Sequence, residues 1–286
     1  MKKLLVFAAL TCATSVQAQK VDTLASQELQ EVIVAGVRAQ KNAPFAVANI
    51  KKTELSNFSK TGRELPFLFA HTPGVFAWGD NGLGTGTTAM RIRGAGGSRI
   101  NITLDGVSLN SPEDQTVFWA NMNSYGALMS SVQIQRGIGT STNGDGAFGG
   151  SISLATATPN QQPSAEVSGS FGTYNTYNTG VKFSTGLLGS HFVFDGAYHE
   201  TATDGFLHGT AGRSGSYYGG LTYLGDNFQI RYKNIGNFEK TGQAWNGVVA
   251  GNNDASLMGS DIKTYKDLYE RGLGRFNPLY EGLVFD

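Results

Sequence analysis

A glycine-rich string between Gly144 and Gly149 is the first candidate for chemistry in this sequence. It reads Gly-Asp-Gly-Ala-Phe-Gly, which matches the G-x-G-x-x-G pattern of dinucleotide-binding loops. Such a loop must follow a strand directly and open a helix, because the helix N-terminus binds the pyrophosphate. Here the preceding strand-like segment ends at Arg136, and residues 151–154 are strand-like in turn. The context therefore excludes a dinucleotide site and predicts glycines that permit a tight turn.

Histidines, the second candidates, could ligate a metal or act as bases. None of them stands at metal-ligand spacing from carboxylates or from the single cysteine. The chain also has no nucleophile elbow, no Ser/His/Asp arrangement and no phosphate-binding loop. We therefore predict no metal site, no cofactor and no catalytic residue, and hence a protein that is not an enzyme. The four histidines are His71, His191, His199 and His208.

Arg91, Arg93, Arg99, Asp105 and Arg136 place charges on or beside short strand-like segments. One interpretation is a buried polar network that can rearrange, since paired groups in a low-dielectric interior interact strongly. The other is an ordinary solvated face. The sequence alone favours neither interpretation.

Residues 31–39 read Glu-Val-Ile-Val-Ala-Gly-Val-Arg-Ala, a β-branched patch in polar surroundings. An extended segment on a flexible tether can add itself as a strand to a partner's sheet edge, where main-chain hydrogen bonds supply affinity. The alternative is that the patch forms the first strand of the domain that follows. Its position after the polar stretch 19–30 favours partner binding. The predicted binding residues are Glu31, Val32, Ile33, Val34, Ala35, Gly36 and Val37.

The N-terminus has the pattern of a secretory signal peptide. Lys2 and Lys3 precede the apolar run 4–10, and Val16-Gln17-Ala18 has the small-x-small form of a cleavage site. We predict a signal peptide over residues 1–18. The apolar run is too short for a membrane helix, which needs about 20 residues. The only cysteine lies inside the signal, so the mature chain is expected to leave the cytoplasm without disulfides.

Residues 43–158 read as a compact region of mixed helix and strand. Residues 61–70 suit a short helix that Pro73-Gly74 ends. Strands are expected at 90–94, 101–106, 132–137 and 151–154, with an Asp-Gly turn after the second.

Alternation of apolar and polar residues dominates residues 159–286. Phe228, Ile230 and Tyr232 alternate with Arg231 and Lys233, which gives one apolar and one charged face. The chain has 39 glycines in 286 residues, about double the usual share of roughly 7%, and a mean hydropathy of −0.19. Both features are typical of transmembrane β-barrels, because only alternate residues face lipid. A soluble β-sandwich alternates in the same way and is the competing interpretation. The zero net charge argues against a nucleic-acid partner.

Taken together, the chain resembles the TonB-dependent outer-membrane receptors. Residues 31–38 resemble a TonB box, and residues 19–42 its flexible segment. Four blocks carry the resemblance, in this order: the box; Leu65-Pro66 with Pro73-Gly74-Val75; Arg91-Ile92-Arg93-Gly94 with Leu104-Asp105-Gly106-Val107; and Gln135-Arg136-Gly137 with Gly144, Gly146, Gly149, Gly150 and Ile152.

The resemblance implies an α+β plug domain (43–158) inside an antiparallel transmembrane β-barrel of about 22 strands. It also implies an outer-membrane location, and TonB with its inner-membrane energising complex as the partner that pulls on the box. The expected ligand is a scarce small molecule, with a ferric siderophore as the first expectation. We expect the ligand to approach loops 78–86 and 110–119. The ligand-loop candidates are Trp78, Asp80, Asn81, Asn110, Asp114, Phe118 and Trp119, and the plug-network candidates are Arg91, Arg93, Asp105 and Arg136.

Residues 159–286 supply about six strands at roughly 10 residues each plus turns, far fewer than a barrel around a plug needs. We therefore expect an incomplete barrel and a truncated chain or gene fragment. Two alternatives of the same architecture are a glycan-capture receptor and a signalling receptor. The polar stretch 19–30 is too short for the extra domain that a signalling receptor would carry.

Overall fold

A computed structural model describes residues 38–39, 44, 46–138, 147–160, 162–244, 265–270, 272–277 and 279–280. The predicted signal peptide and the seven box residues 31–37 lie outside this part of the chain. So do glycines 144 and 146 of the glycine-rich string.

A mixed five-stranded sheet forms the first half of the fold. Its strands are β1 (Ala46–Lys51), β4 (Ile100–Leu104), β5 (Val107–Ser108), β6 (Met129–Arg136) and β7 (Gly150–Thr156), in the order β1-β6-β7-β4-β5. β7 is parallel to β4 and antiparallel to β6. Every residue of β7 is buried, because the strand has a neighbour on each side and is covered on both faces. The strands expected at 101–106, 132–137 and 151–154 match β4, β6 and β7.

Two helices follow β1: α1 (Lys52–Ser59), which packs on β1 and β6, and α2 (Leu65–Phe69), which packs on residues 75–92 and 119–122. Leu55 and Phe69 are fully buried in the hydrophobic core. The helix expected over 61–70 is shorter than predicted and begins only at Leu65, because Gly62 has φ +70°, which a right-handed helix cannot contain. Pro66 stands in the first turn, where its missing N–H costs nothing. Helix α1 was not predicted from the sequence.

A hairpin of β2 (Val75–Gly79) and β3 (Thr88–Ile92) follows α2. The strand predicted at 90–94 ends at Ile92, since Arg93 (φ 50°) and Gly94 (φ 84°) turn the chain. Asp105 (φ 49°) and Gly106 (φ 85°) form the predicted Asp-Gly turn between β4 and β5, with the two positive φ angles of a two-residue hairpin turn.

The second half is an antiparallel sheet in which consecutive strands are neighbours. It contains β8 (Pro163–Phe171), β9 (Tyr177–Thr185), β10 (Phe192–Thr203), β11 (Gly212–Leu224) and β12 (Gln229–Thr241). Strands β8 and β12 are its two edges, so the sheet is not closed within the described residues. A short helix, α3 (Tyr265–Glu270), follows. None of the described helices is long and apolar enough to cross a membrane.

Alternation along these strands separates two faces, as the sequence predicted. Thr201, Ser214 and Lys233 point toward the mixed sheet and its helices. Residues of the opposite parity point away and are largely apolar and exposed; they include Val181, Phe183, Phe194, Leu221, Ile230 and Tyr232. The fold is therefore an α+β domain followed by an incomplete antiparallel barrel sheet whose polar face covers that domain.

Candidate functional site

A cavity of about 820 Å³ opens between the β2–β3 hairpin, residues 116–121 and the end of β12. We call it the wall cavity, because residues 239–243 of the antiparallel sheet form one of its sides. Three of the sequence-predicted ligand residues line it, namely Trp78, Phe118 and Trp119. Such a volume falls within the range of sites for small molecules, roughly 300–1,000 Å³.

Aromatic rings and one arginine form the hairpin side of the wall cavity. The Trp78 ring stacks on Phe76 at 5.8 Å between centroids, and the guanidinium carbon of Arg91 lies 5.6 Å from the Trp78 ring centroid. Phe118 is 63% exposed and leaves its ring free for a ligand, whereas Trp119 is only 4% exposed and packs edge-on against Phe69. Trp119 thus belongs to the core, and Phe118 and Trp78 offer the accessible aromatic surface.

The loop between β2 and β3 is held to the end of β12 by side-chain hydrogen bonds. The Asn81 amide donates to Thr241 Oγ1 (3.3 Å) and to the Gly242 carbonyl (3.4 Å), and Thr87 Oγ1 donates to Gln243 Oε1 (2.5 Å). Asn81 is buried and therefore fastens the loop to the wall rather than facing a ligand. Asp80 lies beside it, and burial raises the pKa of its carboxyl.

Asn110 and Asp114 shape the second predicted loop. The Asn110 side chain accepts a hydrogen bond from the Ile102 N–H (2.8 Å) and donates to the carbonyls of Ile100 (2.9 Å) and Gln115 (2.8 Å). The Asp114 carboxylate accepts from the backbone N–H and the hydroxyl of Thr116, and these bonds lower its pKa. Both side chains fix the backbone that presents Phe118.

A buried carboxyl group, Glu64, lies at the base of the same hairpin. It is 1% exposed, accepts a hydrogen bond from the Thr88 hydroxyl, and precedes α2. Burial raises its pKa to about 8, and the nearby charge of Glu239 on β12 acts in the same direction. Sequence reasoning missed Glu64, because a single glutamate before a short helix gives no sign of burial.

Asp105 is the centre of a second polar cluster, which lies near the start of β12. Its carboxylate accepts bonds from the Thr156 N–H (2.8 Å), the Thr156 hydroxyl (2.7 Å) and Lys233 Nζ (2.8 Å), while Lys233 also donates to Thr156 Oγ1 (2.9 Å). Burial opposes ionisation of Asp105, but the bonds from Lys233 and Thr156 outweigh it and lower the pKa. We call Asp105, Thr156 and Lys233 the Asp105 cluster. Sequence reasoning did not identify Thr156 or Lys233 as its partners.

The structure does not bring the four plug-network candidates together. Arg136 Nη1 donates to the Pro73 carbonyl (2.7 Å), and the Arg93 N–H donates to the Gly74 carbonyl (2.7 Å). Arg91 lies over Trp78 at the wall cavity, and only Asp105 bonds to the antiparallel sheet. The two turn-binding arginines therefore hold the Pro73-Gly74 turn against the mixed sheet.

Arg38 and Ala39, which directly follow the predicted box, are fastened to the middle of the mixed sheet. The Arg38 guanidinium donates to the hydroxyls of Ser131 (2.9 Å) and Ser153 (3.2 Å) and to their carbonyls (3.2 and 2.9 Å). The Gln133 amide accepts from the Ala39 N–H (2.7 Å) and donates to the Ala39 carbonyl (3.2 Å). We call these six bonds the Arg38 anchor. It joins the chain to β6 and β7.

Other contacts between the two halves are also polar. Arg231 donates to the Ala157 carbonyl, Asn123 to Ser214 Oγ, and Ser170 to the Lys60 carbonyl. Within the described residues no group of three or more His, Cys, Asp or Glu side chains could hold a metal ion.

Residues 39–151 match the family model of the TonB-dependent receptor plug domain. No curated protein matches. Similar solved structures include the pyoverdine receptor FpvA of P. aeruginosa (17% identity, TM-score 0.58), the ferric yersiniabactin receptor FyuA of Yersinia pestis (15%, 0.54) and the copper transporter OprC (13%, 0.56). The alignments cover 70%, 68% and 71% of this chain.

This chain spans only a fraction of the structures it matches, 26% of FpvA and 32% of FyuA and of OprC. At such identities the likeness concerns the fold alone. The match to the plug-domain model agrees with the mixed sheet and its β2–β3 hairpin. The matches to solved structures agree with the antiparallel strands that follow. Residues 39–151 are therefore a TonB-dependent receptor plug domain, and the antiparallel strands that follow share the fold of the first barrel strands in these solved structures.

Proposed function

We propose that this chain is the N-terminal part of a TonB-dependent receptor of the outer membrane that takes up a ferric siderophore. The observation that carries the proposal is the placement of two sites on the plug. The Arg38 anchor and the Asp105 cluster lie toward one end of the barrel strands, and the wall cavity lies toward the other.

The distance between the two sites can be estimated along strand β12, which contacts both. Lys233 contacts the Asp105 cluster, and Thr241, eight positions later on the same strand, contacts the loop beside the wall cavity. At about 3.3 Å per residue the two contacts are about 26 Å apart along the strand. Because barrel strands are tilted by about 35–45°, this separation is roughly 20 Å along the membrane normal, most of the apolar band of about 25 Å.

Connection lengths support one orientation in the membrane. The turns near the Asp105 end, residues 186–191 and 225–228, have six and four residues, while those at the cavity end, 172–176 and 204–211, have five and eight. Barrels of the outer membrane have short periplasmic turns and longer extracellular loops. The Asp105 end therefore faces the periplasm, where TonB acts, and the wall cavity faces the exterior.

Energy coupling begins at the box, residues 31–37, which we propose TonB captures by strand addition. A pull on the box loads the Arg38 anchor, whose six hydrogen bonds contribute roughly 0.5–1.5 kcal/mol each. The anchor includes Ser153 of β7, and Thr156 stands three residues later on the same strand. The load therefore reaches the Asp105–Lys233 ion pair, which joins the plug to the barrel wall.

The wall cavity suits a bulky ligand with planar groups. Trp78 and Phe118 offer faces for stacking, and Arg91 adds a positive charge that favours an anionic chelate. FpvA binds pyoverdine and FyuA takes up ferric yersiniabactin, as their names state, which supports a siderophore, whereas OprC is named as a copper transporter. None of the proposed residues performs covalent chemistry, so the protein moves its ligand rather than transforming it.

The test is uptake of iron-55 chelates by cells that carry the intact gene, a deletion, or a Val34→Pro box variant. Proline removes a main-chain donor from an added strand, so we expect the variant to bind ligand but not take it up. Equal uptake by the deletion strain under iron limitation would reject the siderophore assignment.

Glycan capture is a second candidate, because the exposed rings of Phe118 and Phe76 (63% and 64% exposed) can also stack on sugar rings. The same cells offered oligosaccharides in place of iron chelates distinguish the two. Growth that depends on the gene with glycans alone would favour this reading.

A further inference from the structure

The outward face of the antiparallel sheet is uncharged except at one end. Successive side chains of a strand point to opposite faces. The side chains that contact the plug are Ser170, Thr201, Ser214, Lys233 and Thr241, and the outward residues are those that alternate with them. Within β8–β12 only three outward residues are charged: Glu200, Arg213 and Lys240. All three lie at the wall-cavity end, and Arg213 is the register partner of Lys240.

Arg213 is held in place by its neighbours. Its Nε and Nη2 donate to the two Glu200 oxygens, both at 2.9 Å, and the hydroxyls of Tyr177 (2.9 Å) and Tyr198 (2.6 Å) donate to the same carboxylate. The Glu200 side chain is 9% exposed, whereas that of Arg213 is 60% exposed. Two of about five guanidinium N–H groups are used in this way, and the guanidinium carbon lies 5.9 Å from the Phe238 ring centroid.

Glu200, Arg213 and Lys240 together carry a net positive charge. The Glu200 carboxylate is saturated by four donors, while Arg213 and the exposed Lys240 each retain N–H groups for another acceptor. An arginine fork matches the geometry of a phosphate, and a neighbouring lysine adds a point charge.

Apolar surface continues directly from the two cations. On the outward face, Phe238 pairs in register with Gly215 next to the Arg213–Lys240 pair, and Tyr217 pairs with Gly236 one outward pair further along. An added Cβ would lie 2.7 Å from the Phe238 ring at Gly215 and 2.4 Å from the Tyr217 ring at Gly236, so both rings lie flat over glycine backbone. This arrangement gives a smooth apolar track that starts beneath a cationic rim.

We propose that Arg213 and Lys240 bind the phosphate of an anionic lipid headgroup in the outer leaflet, with an acyl chain along Phe238 and Tyr217. The inference rests on the membrane placement made in the proposed function. A lipid fits better than free phosphate, because the cations and the apolar track are adjacent and would be occupied together. Each basic residue near a membrane surface contributes about 1 kcal/mol toward anionic lipid, a factor of about five in affinity.

The experiment reconstitutes the complete receptor, of which this chain is proposed to be the N-terminal part, in phosphatidylcholine vesicles with or without phosphatidic acid. Insertion is measured by protection from protease, and lipid preference by the mobility of spin-labelled phosphatidic acid against spin-labelled phosphatidylcholine. We expect Lys240→Gln to lower the preference about five-fold. Arg213→Lys keeps the charge opposite Glu200 but loses the fork, so it also lowers the preference while the fold is kept. Lys51→Gln, an exposed plug lysine, is the matched control.

Three outcomes would overturn the inference. An unchanged preference in both rim variants removes the role of the cations. Displacement of the labelled lipid by millimolar inorganic phosphate shows an anion site without a lipid. Failure of the complete receptor to insert into either vesicle removes the membrane placement itself, and with it the proposed function, whereas the first two outcomes leave that function standing.

Discussion

Lys233 Nζ lies 2.8 Å from Asp105 Oδ2, which joins barrel strand β12 to the turn between plug strands β4 and β5. Both side chains are 17% exposed, so water screens the pair only partly. It is also linked through Thr156 to β7, the strand that carries part of the Arg38 anchor. This ion pair therefore lies on the path by which a pull on the N-terminal segment would be transmitted to the barrel wall.

Asp105→Asn is expected to weaken this joint by about 2 kcal/mol, because the largely buried Lys233 ammonium loses the carboxylate 2.8 Å away. Thermal unfolding of the chain in detergent checks the loss. The double variant Asp105→Asn/Lys233→Met should recover part of the stability, since it removes the lysine charge as well. Asp226→Asn, at an exposed carboxyl in the turn 225–228, is the control. Equal melting temperatures for the wild type and Asp105→Asn would contradict a stabilising pair.

The pH dependence of the same pair follows from the lowered pKa of Asp105. A carboxyl with a lowered folded-state pKa contributes stability above its unfolded value, about 3.9, and loses it as the pH falls through the folded value. We therefore expect the Asp105→Asn deficit to be full near neutral pH and to shrink in acid. A deficit that grows on acidification would contradict the assignment.

The raised pKa of Glu64 predicts the opposite pH dependence of folding stability. Its folded-state pKa of about 8 lies above the ordinary value of 4.5, so the folded chain holds a proton that the unfolded chain releases. Stability is therefore greatest below pH 4.5 and falls as the pH rises toward 8. Glu64→Gln should remove much of this loss, by about 2–4 kcal/mol at pH 8.5. Melting temperatures at pH 5.5 and 8.5 test it, with exposed Glu113→Gln as the control.

The features of this fold that depend on local sequence patterns could be predicted from the sequence. Alternation identified the faces of β12, the Asp-Gly pair identified the β4–β5 turn, and Pro73-Gly74 marked the end of α2. These features follow from side-chain period and backbone preference, which neighbouring residues determine.

Contacts between residues far apart in the chain could not be predicted from the sequence. Asp105 and Lys233 are 128 positions apart, and Arg38 and Ser153 are 115 apart. No local pattern specifies such partners. Helix α1 was missed because it has few apolar residues and buries only Leu55 and Ser59. Asn81, Asn110 and Trp119 were expected at a ligand, yet their bonds and burial assign them to loop fixation and the core.

The Arg38 anchor predicts how tightly the box is tethered. Arg38→Ala removes four of the six anchoring bonds and leaves the two at Gln133. A spin label at an Ala35→Cys substitution should then become more mobile, because the label stands three residues from the anchor. Arg38→Lys, which keeps the charge but cannot span both serines, should give an intermediate spectrum. Lys51→Ala controls for loss of a positive charge, and an unchanged spectrum in Arg38→Ala would show that the anchor does not restrain the box.

Ligand affinity at the wall cavity should depend on Phe118 and much less on other exposed rings. Phe118→Ala removes an exposed stacking face that lines the cavity, and the expected loss is about 1.4 kcal/mol, or about ten-fold in affinity. Phe148→Ala is the matched control, since Phe148 is 71% exposed but does not line the cavity. Quenching of tryptophan fluorescence, titrated with ferric catecholate and ferric hydroxamate chelates, measures the affinity.

The neighbouring Trp119 separates a ligand contact from a core contact. Because it is 4% exposed and packs on Phe69, Trp119→Ala should cost about 3–5 kcal/mol of stability. Where the variant still folds, its affinity for the chelate should fall less than that of Phe118→Ala. A variant pair in which Trp119→Ala binds ten-fold more weakly while Phe118→Ala binds normally would place the ligand deeper, against the core face of the loop. Wild-type affinity in both would move the binding site out of the wall cavity.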